Sequence, residues 1–211
     1  MDGVPVKGDR MIISLSGWAG SGKTTIAREL EQLHGFTVLS FAGGLKQEVR
    51  EFLVKHETEY EERHLTGTTK DKEEILKIKL QWDKGWTFEE MWFWTYFRWD
   101  NVFITPRELM QLWGTEFRRQ HFGEAYWGDK LQAIIEQHPQ KDFVIDDTRF
   151  KNEYRRLKNL GAKMVRINRW DKPAYNHPSE IDLDTGVTWD SVIENRGTLA
   201  ELVEQAKGLV E

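Results

Sequence analysis

The 211-residue sequence has no cysteine, which excludes disulfides, cysteine-ligated zinc and thiol catalysis together. It has no long apolar run, and a mean hydropathy of -0.64 leaves no candidate for a membrane-spanning helix. Residues 1–10 are polar and read as a loose leader; the apolar stretch 11–15 is too short for the core of a signal peptide. An excess of basic charge is also missing: 30 Lys and Arg stand against 35 Asp and Glu, for a net charge of -5. That balance argues against a general nucleic-acid binder and leaves room only for a local basic site. Internal repeats and low-complexity tracts are absent. The expectation is one soluble, cytoplasmic α/β domain acting on small molecules.

Strand and helix patterns alternate along the chain. Residues 11–16 (MIISLS) suit a buried central strand, and residues 24–34 place Ile26, Ala27, Leu30 and Leu33 at helical spacing before Gly35. A strand at 36–41, a helix at 45–53, a helix at 105–121 opened by Thr105-Pro106, and a helix at 127–138 follow. Then come a strand at 141–147, a helix at 151–160 stopped by Gly161, strands at 162–168 and 192–194, and a closing helix at 198–209. This order predicts a five-stranded parallel sheet with helices on both faces. Residues 55–102 read as a helical, Trp-rich insertion, with 71–81 (DKEEILKIKLQ) as an amphipathic helix. Six of the ten tryptophans lie between Trp82 and Trp113. Three readings of that segment stand: an aromatic core for an extra helical layer, a wall for a planar ligand, or a homodimer face.

The chemistry begins at Gly17-Trp18-Ala19-Gly20-Ser21-Gly22-Lys23-Thr24, which satisfies G-x-x-x-x-G-K-[ST] between a strand and a helix. Glycines let backbone N–H groups converge on phosphates, and the helix that starts here adds its positive end. Lys23 reaches the β- and γ-phosphates in this motif, Thr24 offers a hydroxyl to Mg²⁺, and Thr25 continues the helix start. Asp146 and Asp147 end the 141–147 strand, where a metal-linked carboxylate of a nucleotide site belongs. Either of them fits that role, and either Asp147 or Thr148 could instead cap a helix.

A phosphorylated acceptor requires further cations. Arg107, Arg118, Arg119, Arg149, Arg155, Arg166 and Arg169 are available, with Arg149 just past the strand-end carboxylates. Lys46 follows the small-residue turn Ala42-Gly43-Gly44, which reads either as a second anion-binding helix start or as an ordinary turn. His177-Pro178-Ser179-Glu180 lies in a polar stretch where nucleotide kinases carry a lid that excludes water.

Several stretches together resemble the bacteriophage-type deoxynucleoside monophosphate kinases of the P-loop nucleotide kinase superfamily. They are SGWAGSGKTT at 16–25, SFAGGLKQEV at 40–49, TPRELMQLWGTEFRRQ at 105–120, FVIDDTRFKNEYRRLKNLGAKMVRINR at 143–169, HPSE at 177–180 and SVIENRGTLAELVEQ at 191–205. The D-x-R-x-x-N-E pattern (Asp147, Arg149, Asn152, Glu153) with HPSE and the Asn-x-Gly-Thr turn narrows the likeness from superfamily to family. The resemblance implies Mg²⁺-dependent transfer of the ATP γ-phosphate to a deoxynucleoside monophosphate. It implies that Gly17, Ala19, Gly20, Ser21, Gly22, Lys23, Thr24 and Thr25 hold ATP, with Asn195 to Thr198, including Gly197, near the adenine. Thr24 with Asp146 or Asp147 would manage Mg²⁺, and Lys23, Arg118, Arg119 and Arg149 would serve the transfer. Lys46, Arg107, Trp113, Arg118, Arg149, Glu153 and Arg169 would meet the acceptor. The insertion departs from the family pattern, so an enlarged pocket for a modified pyrimidine is a further expectation.

Three rivals stay open on the sequence: a P-loop kinase for another acceptor (a modified base in DNA, or dephospho-coenzyme A), a nucleotide-gated switch, and a regulatory subunit without turnover. The switch lacks a guanine-reading Asn-Lys-x-Asp tetrapeptide, and a polymeric acceptor would call for a basic stripe.

Overall fold

The computed structural model describes residues 10–68, 70–80, 87–97, 101–169 and 181–210, the side chains of Glu90 and Trp94 excepted. Its elements run β1 (Ile12–Ser16), α1 (Lys23–His34), β2 (Thr37–Leu39), α2 (Phe41–Lys55), α3 (Glu62–Thr66), a 3-10 turn (Asp71–Glu73), β3 (Leu76–Lys79) and α4 (Phe88–Phe97). There follow β4 (Asn101–Ile104), α5 (Pro106–Gln111), a π-helical stretch (Leu112–Arg119), α6 (Gln120–Phe122), α7 (Tyr126–Gln137), β5 (Phe143–Ile145), α8 (Lys151–Asn159), β6 (Lys163–Asn168), β7 (Ser191–Glu194) and α9 (Leu199–Lys207). The described residues divide into two compact units: one runs up to Phe41 and resumes at Gly128, and the other is Ala42–Trp127.

The first unit is built on a five-stranded sheet of order β2-β5-β1-β6-β7, with every pairing parallel. All five residues of β1 are buried, as a central strand covered on both faces requires. Side chains alternate between two cores. Ile13 and Leu15 join Ile26, Leu30 and Leu202 under α1 and α9, while Ile12 joins Leu131, Ile145 and Leu157 under α7 and α8. Each such buried Ile or Leu stabilises the fold by about 1.5–3 kcal/mol relative to exposure. The expected parallel sheet with helices on both faces is therefore present.

The second unit carries a two-stranded antiparallel ribbon in which Leu76 faces Ile104 and Ile78 faces Val102. Its core is aromatic: the Phe52 ring centre lies 4.9 Å from those of both Phe93 and Trp113, distances at which offset and edge contacts are favourable. Phe93 and Trp113 are buried, whereas Phe88, Met91, Tyr96 and Phe103 stay exposed. Of the six clustered tryptophans, Trp82, Trp86 and Trp99 and the side chain of Trp94 lie outside the described residues.

Three expectations are corrected. Residues 71–81 do not form an amphipathic helix but a 3-10 turn followed by β3. Leu76, Ile78 and Leu80 are buried between exposed Lys77 and Lys79; Leu76 and Leu80 also satisfy helical spacing, and pairing with β4 decides for the strand. Ala42-Gly43-Gly44 is not a turn before a helix at 45 but the first turn of α2, which starts at Phe41. The helix expected over 105–121 is π-helical from Leu112 to Arg119. Gly114 lies inside that stretch, and a Cβ there would sit 3.1 Å from Leu45 Cδ2. The leader (except Arg10) and His177-Pro178-Ser179-Glu180 lie outside the described residues.

Candidate active site

In-register pairing brings the ends of β1 and β5 together. Ser14 is opposite Ile145, and Leu39 of β2 is opposite Ile145 on the other side. The loop that follows β1 and the carboxylates that follow β5 thus share the carboxyl end of the sheet, where open α/β folds bind ligands.

The β1–α1 loop is shaped by its glycines. At Gly22 (φ +105°) an added Cβ would lie 2.8 Å from Asn195 Nδ2 and 3.0 Å from Leu202 Cδ2; at Gly17 it would lie 2.4 Å from the Ile167 carbonyl oxygen. No other residue type fits either position without displacing a neighbour. The loop, Arg169 and the Asn195–Gly197 turn bound a cavity of about 370 Å³, with Thr25 also in its lining. Asn195 Nδ2 donates to the Ser21 carbonyl at 2.8 Å and Arg169 Nη1 to that of Gly20 at 2.7 Å. Lys23 Nζ donates to the carbonyls of Gly17 and Trp18 at 2.7 and 2.8 Å, so the ammonium is held inside the loop. Ser21 Oγ is buried and has no hydrogen-bond partner among the described residues. Ala19 is exposed at the loop crest.

The two carboxylates separate in role. Successive residues at a strand end project to opposite sides. Asp146 Oδ2 accepts from Thr24 Oγ1 at 3.4 Å, whereas Asp147 Oδ1 accepts from the Phe41 backbone N–H at 2.7 Å and so caps the start of α2. Among the described residues no group of three or more His, Asp and Glu could hold a metal by itself. A hydroxyl beside one carboxylate is nevertheless the protein share of a magnesium site completed by phosphate oxygens and water, so Thr24 and Asp146 fit that ion.

Past the carboxylates, Glu153 is buried and its Oε2 accepts from the backbone N–H groups of Arg149 and Phe150 at 2.9 and 3.1 Å. Glu153 thus fixes the backbone of Arg149 at the start of α8. Arg155 is exposed. Arg166 is buried and ion-paired with Asp184.

The second unit holds the remaining candidates in two groups. Thr105 and Glu108 form a reciprocal capping box, with Pro106 in the first turn, and this fixes the start of α5 beside Arg107. Arg107 is half exposed and its Nε lies 3.8 Å from Glu73 Oε1. Lys72, on the 3-10 turn, is held below the ordinary lysine range by burial and by the charges of Lys46 and Arg107. The charges of Lys46 and Arg107 thus act on Lys72, partly offset by Asp71, and an anion beside Lys72 would relieve that repulsion.

Arg118 belongs elsewhere. Its Nε donates to Glu48 Oε2 at 2.6 Å and its Nη1 to Glu89 Oε1 at 3.0 Å; both Arg118 and Glu48 are buried. Glu48 also accepts from Trp113 Nε1 at 2.9 Å and Tyr126 OH at 2.6 Å. Burial, and then Glu48, push the Tyr126 phenol well above its usual range. Burial alone would raise the Glu89 carboxyl, but hydrogen bonds from its own backbone, Thr87 and Arg118 bring it below its usual value. Glu48, Phe52, Trp113 and Arg118 line a cavity of about 250 Å³. Arg119 pairs at the surface with Glu124 at 3.5 Å. The arginines expected to act as a set thus fall in two units, Arg149 and Arg169 in the first and Arg107, Arg118 and Arg119 in the second.

Sequence reasoning missed Glu48, Lys72 and Asp184. Glu48 sits in the quoted stretch 40–49, four residues before Phe52 on one face of α2. Lys72 was hidden by the helix assigned to 71–81, and nothing local marks Asp184.

A glycine-rich loop at the end of a central parallel strand, with a lysine held inside it and a carboxylate beside its threonine, defines a protein of the P-loop class. Residues 98–206 match the family model described as deoxynucleotide monophosphate kinase. The chain is also 30% identical over 217 residues to a protein of Acanthamoeba polyphaga mimivirus named "Putative deoxynucleotide monophosphate kinase", covering 95% of this chain and 96% of that one. A dephospho-CoA kinase from Campylobacter jejuni superposes with a TM-score of 0.46 at 14% identity, over 95% of this chain and 94% of that one. The chain belongs to the deoxynucleotide monophosphate kinase family. Among the described residues no helix is long and apolar enough to cross a membrane.

Proposed function

We propose that the protein transfers the γ-phosphoryl group of Mg-ATP to the phosphate of a deoxynucleoside monophosphate, yielding the diphosphate and ADP. The observation that carries this reading is the Thr24–Asp146 pair beside a P-loop whose lysine is already inside the loop. Magnesium, if bound, would offset the negative charge that builds on the transferring phosphoryl group. Thr24 and Asp146 are the residues to hold it. Lys23 exchanges its two carbonyl partners for phosphate oxygens, and the loop N–H groups surround the β-phosphate. Ser21 Oγ supplies one more hydrogen bond to that end. The Asn195–Gly197 turn, tied to Ser21, is assigned to the adenine side, and Arg169 to the rim of the triphosphate cavity.

The acceptor phosphate falls to Lys46, Lys72 and Arg107 of the second unit, and Arg149 is assigned to the sheet-end site of the first. Trp113 and the buried Arg118–Glu48 pair belong to the acceptor-side framework and shape the cavity that they line. Such a transfer needs little covalent help from protein; positioning and charge carry most of the acceleration. The test is a coupled ADP-release assay with Mg-ATP and each dNMP and NMP in turn, alongside dephospho-coenzyme A. Turnover with one or a few dNMPs above the no-acceptor rate is expected, and Lys23→Ala should lower kcat roughly 10²–10³-fold with the fold intact. ATP binding without turnover on any nucleoside monophosphate would overturn the reading.

A further inference from the structure

The second position of the P-loop carries an indole that phosphate binding does not require. Trp18 Nε1 donates to Asp184 Oδ1 at 3.3 Å, and the same oxygen accepts from Arg166 Nη2 at 2.5 Å. Arg166 is only 8% exposed. Its guanidinium carbon lies 5.6 Å from the centre of the Trp18 ring and 5.7 Å from that of Trp189, and Nη1 reaches Ser16 Oγ at 3.5 Å. Trp189 is in turn seated edge-on against Tyr154 at 5.5 Å, and the Tyr154 hydroxyl donates to the Thr188 carbonyl. A buried guanidinium is thus faced by two indoles and neutralised by one carboxylate, an arrangement that holds its parts in fixed places.

The backbone of the same tryptophan sets the loop. The Trp18 carbonyl accepts from Lys23 Nζ at 2.8 Å and from the Ser21 N–H at 3.1 Å. Whatever fixes the indole therefore fixes the peptide that closes the loop and seats the lysine. The other loop positions are Gly17, Ala19, Gly20, Ser21 and Gly22, small residues with wide conformational freedom, so Trp18 is the loop residue with a side chain large enough to anchor it.

We propose that Trp18, Arg166 and Asp184 form a latch that holds the P-loop in its phosphate-receiving shape before nucleotide arrives, which makes Arg166 and Asp184 positioning residues for ATP. The proposal rests on the reading that this loop binds ATP. A ligand's apparent affinity is its intrinsic affinity multiplied by the fraction of molecules already in the receptive shape. Breaking the latch lowers that fraction and raises the dissociation constant for ATP, while leaving the acceptor's binding as it was.

The test uses the full chain with Trp18→Leu, Trp18→Phe, Asp184→Asn and the Trp18→Leu/Asp184→Asn double variant. Mg-ATP affinity is measured by titration calorimetry, KM for ATP and for the preferred dNMP by steady-state kinetics, and stability by thermal melting. Trp18→Leu and Asp184→Asn should each weaken ATP about tenfold, as a fall of the receptive fraction to about one tenth requires, with the acceptor KM within about twofold. Trp18→Phe keeps a ring over Arg166 but loses the N–H, so it should fall between; it also serves if the leucine variant does not fold. The double variant should be no weaker than the worse single one, because both changes open one latch. Wild-type ATP affinity in Trp18→Leu or, where that variant does not fold, in Trp18→Phe, or losses that add and follow the melting temperature equally for both substrates, would overturn the latch. Wild-type chain that binds ATP yet phosphorylates no dNMP would refute the proposed reaction, and the latch would still be decided by the calorimetric constants. Wild-type chain that binds no ATP would overturn both.

Discussion

Asp146 and Asp147 are neighbours in the chain with separate partners: Asp146 Oδ2 meets Thr24 Oγ1 at 3.4 Å, and Asp147 Oδ1 takes the Phe41 N–H at 2.7 Å. The first contact points to metal chemistry and the second to a helix start. Asp146→Asn should therefore lower kcat at least about 100-fold and raise the Mg²⁺ concentration needed for half-maximal rate, while the melting temperature stays near wild type. Asp147→Ala should lower stability by about 1 kcal/mol, the usual loss for a missing N-cap, with a smaller change in rate. Magnesium titrations of activity beside urea unfolding would check both; the opposite pattern would reverse the assignment.

The sequence leaves those two carboxylates indistinguishable because the distinction depends on which backbone passes each side of the β5 end. What reads well is what local pattern determines. The fully buried run of β1, the glycine–lysine loop and the helix start at Thr105-Pro106 are visible because their residues make the structure within a few positions of one another. Residues 71–81 misread because Leu76 and Leu80 satisfy two periods at once, and only β4, about 25 residues later, chooses between them. Asp184 stands 166 residues from Trp18, and no spacing rule links them. Glu48 looks like one more charged position on a helix until Trp113, Arg118 and Tyr126 are folded onto it.

Lys72 should trade stability against function. Its ammonium is depressed by burial and by Lys46 and Arg107. A base with a lowered folded pKa opposes folding while it is charged, and this opposition fades as pH rises through that pKa toward the ordinary lysine value. Lys72→Met removes the opposition at neutral pH, so its melting temperature should equal or exceed wild type. If the three cations receive the acceptor phosphate, the dNMP KM should rise about tenfold, which corresponds to about 1.4 kcal/mol of lost binding. Kinetics with the acceptor varied at saturating ATP decide the matter; an unchanged KM would remove Lys72 from the acceptor site.

The Glu48 carboxylate gathers three donors, one of them the buried Arg118. Breaking a buried pair by removing one partner costs about 3–5 kcal/mol, and without Glu48 the buried Arg118 keeps Glu89 as a carboxylate partner, so the loss should lie toward the lower end of that range. Glu48→Leu should therefore destabilise more than Tyr126→Phe, which gives up one hydrogen bond to a charged group, about 1.5–3 kcal/mol. Arg118→Met paired with Glu48→Leu should recover part of the loss. Equilibrium unfolding of the two single variants and the double variant measures that coupling, and simple additivity would show that the pair is not acting as one unit.

Acid should loosen the β3 side of the second unit first. The Thr68 hydroxyl and Arg63 hold the Asp71 carboxyl down at about 2, and Arg63 with His64 holds that of Glu74 at about 2. Both folded values lie below the ordinary 3.8 and 4.5, so the stability they contribute is complete above about pH 5 and is lost as pH falls toward about 2. Arg63 is the shared cation, 3.0 Å from Asp71 Oδ1 and from Glu61 Oε1. Arg63→Gln should lower the melting temperature slightly at neutral pH and flatten its fall between about pH 5 and pH 2. A wild-type acid slope in that variant would mean that other carboxylates carry the response. Because these groups are partly open to water, salt should shrink the difference as well, and melting curves at low and high ionic strength would separate this network from the buried Glu48–Arg118 pair.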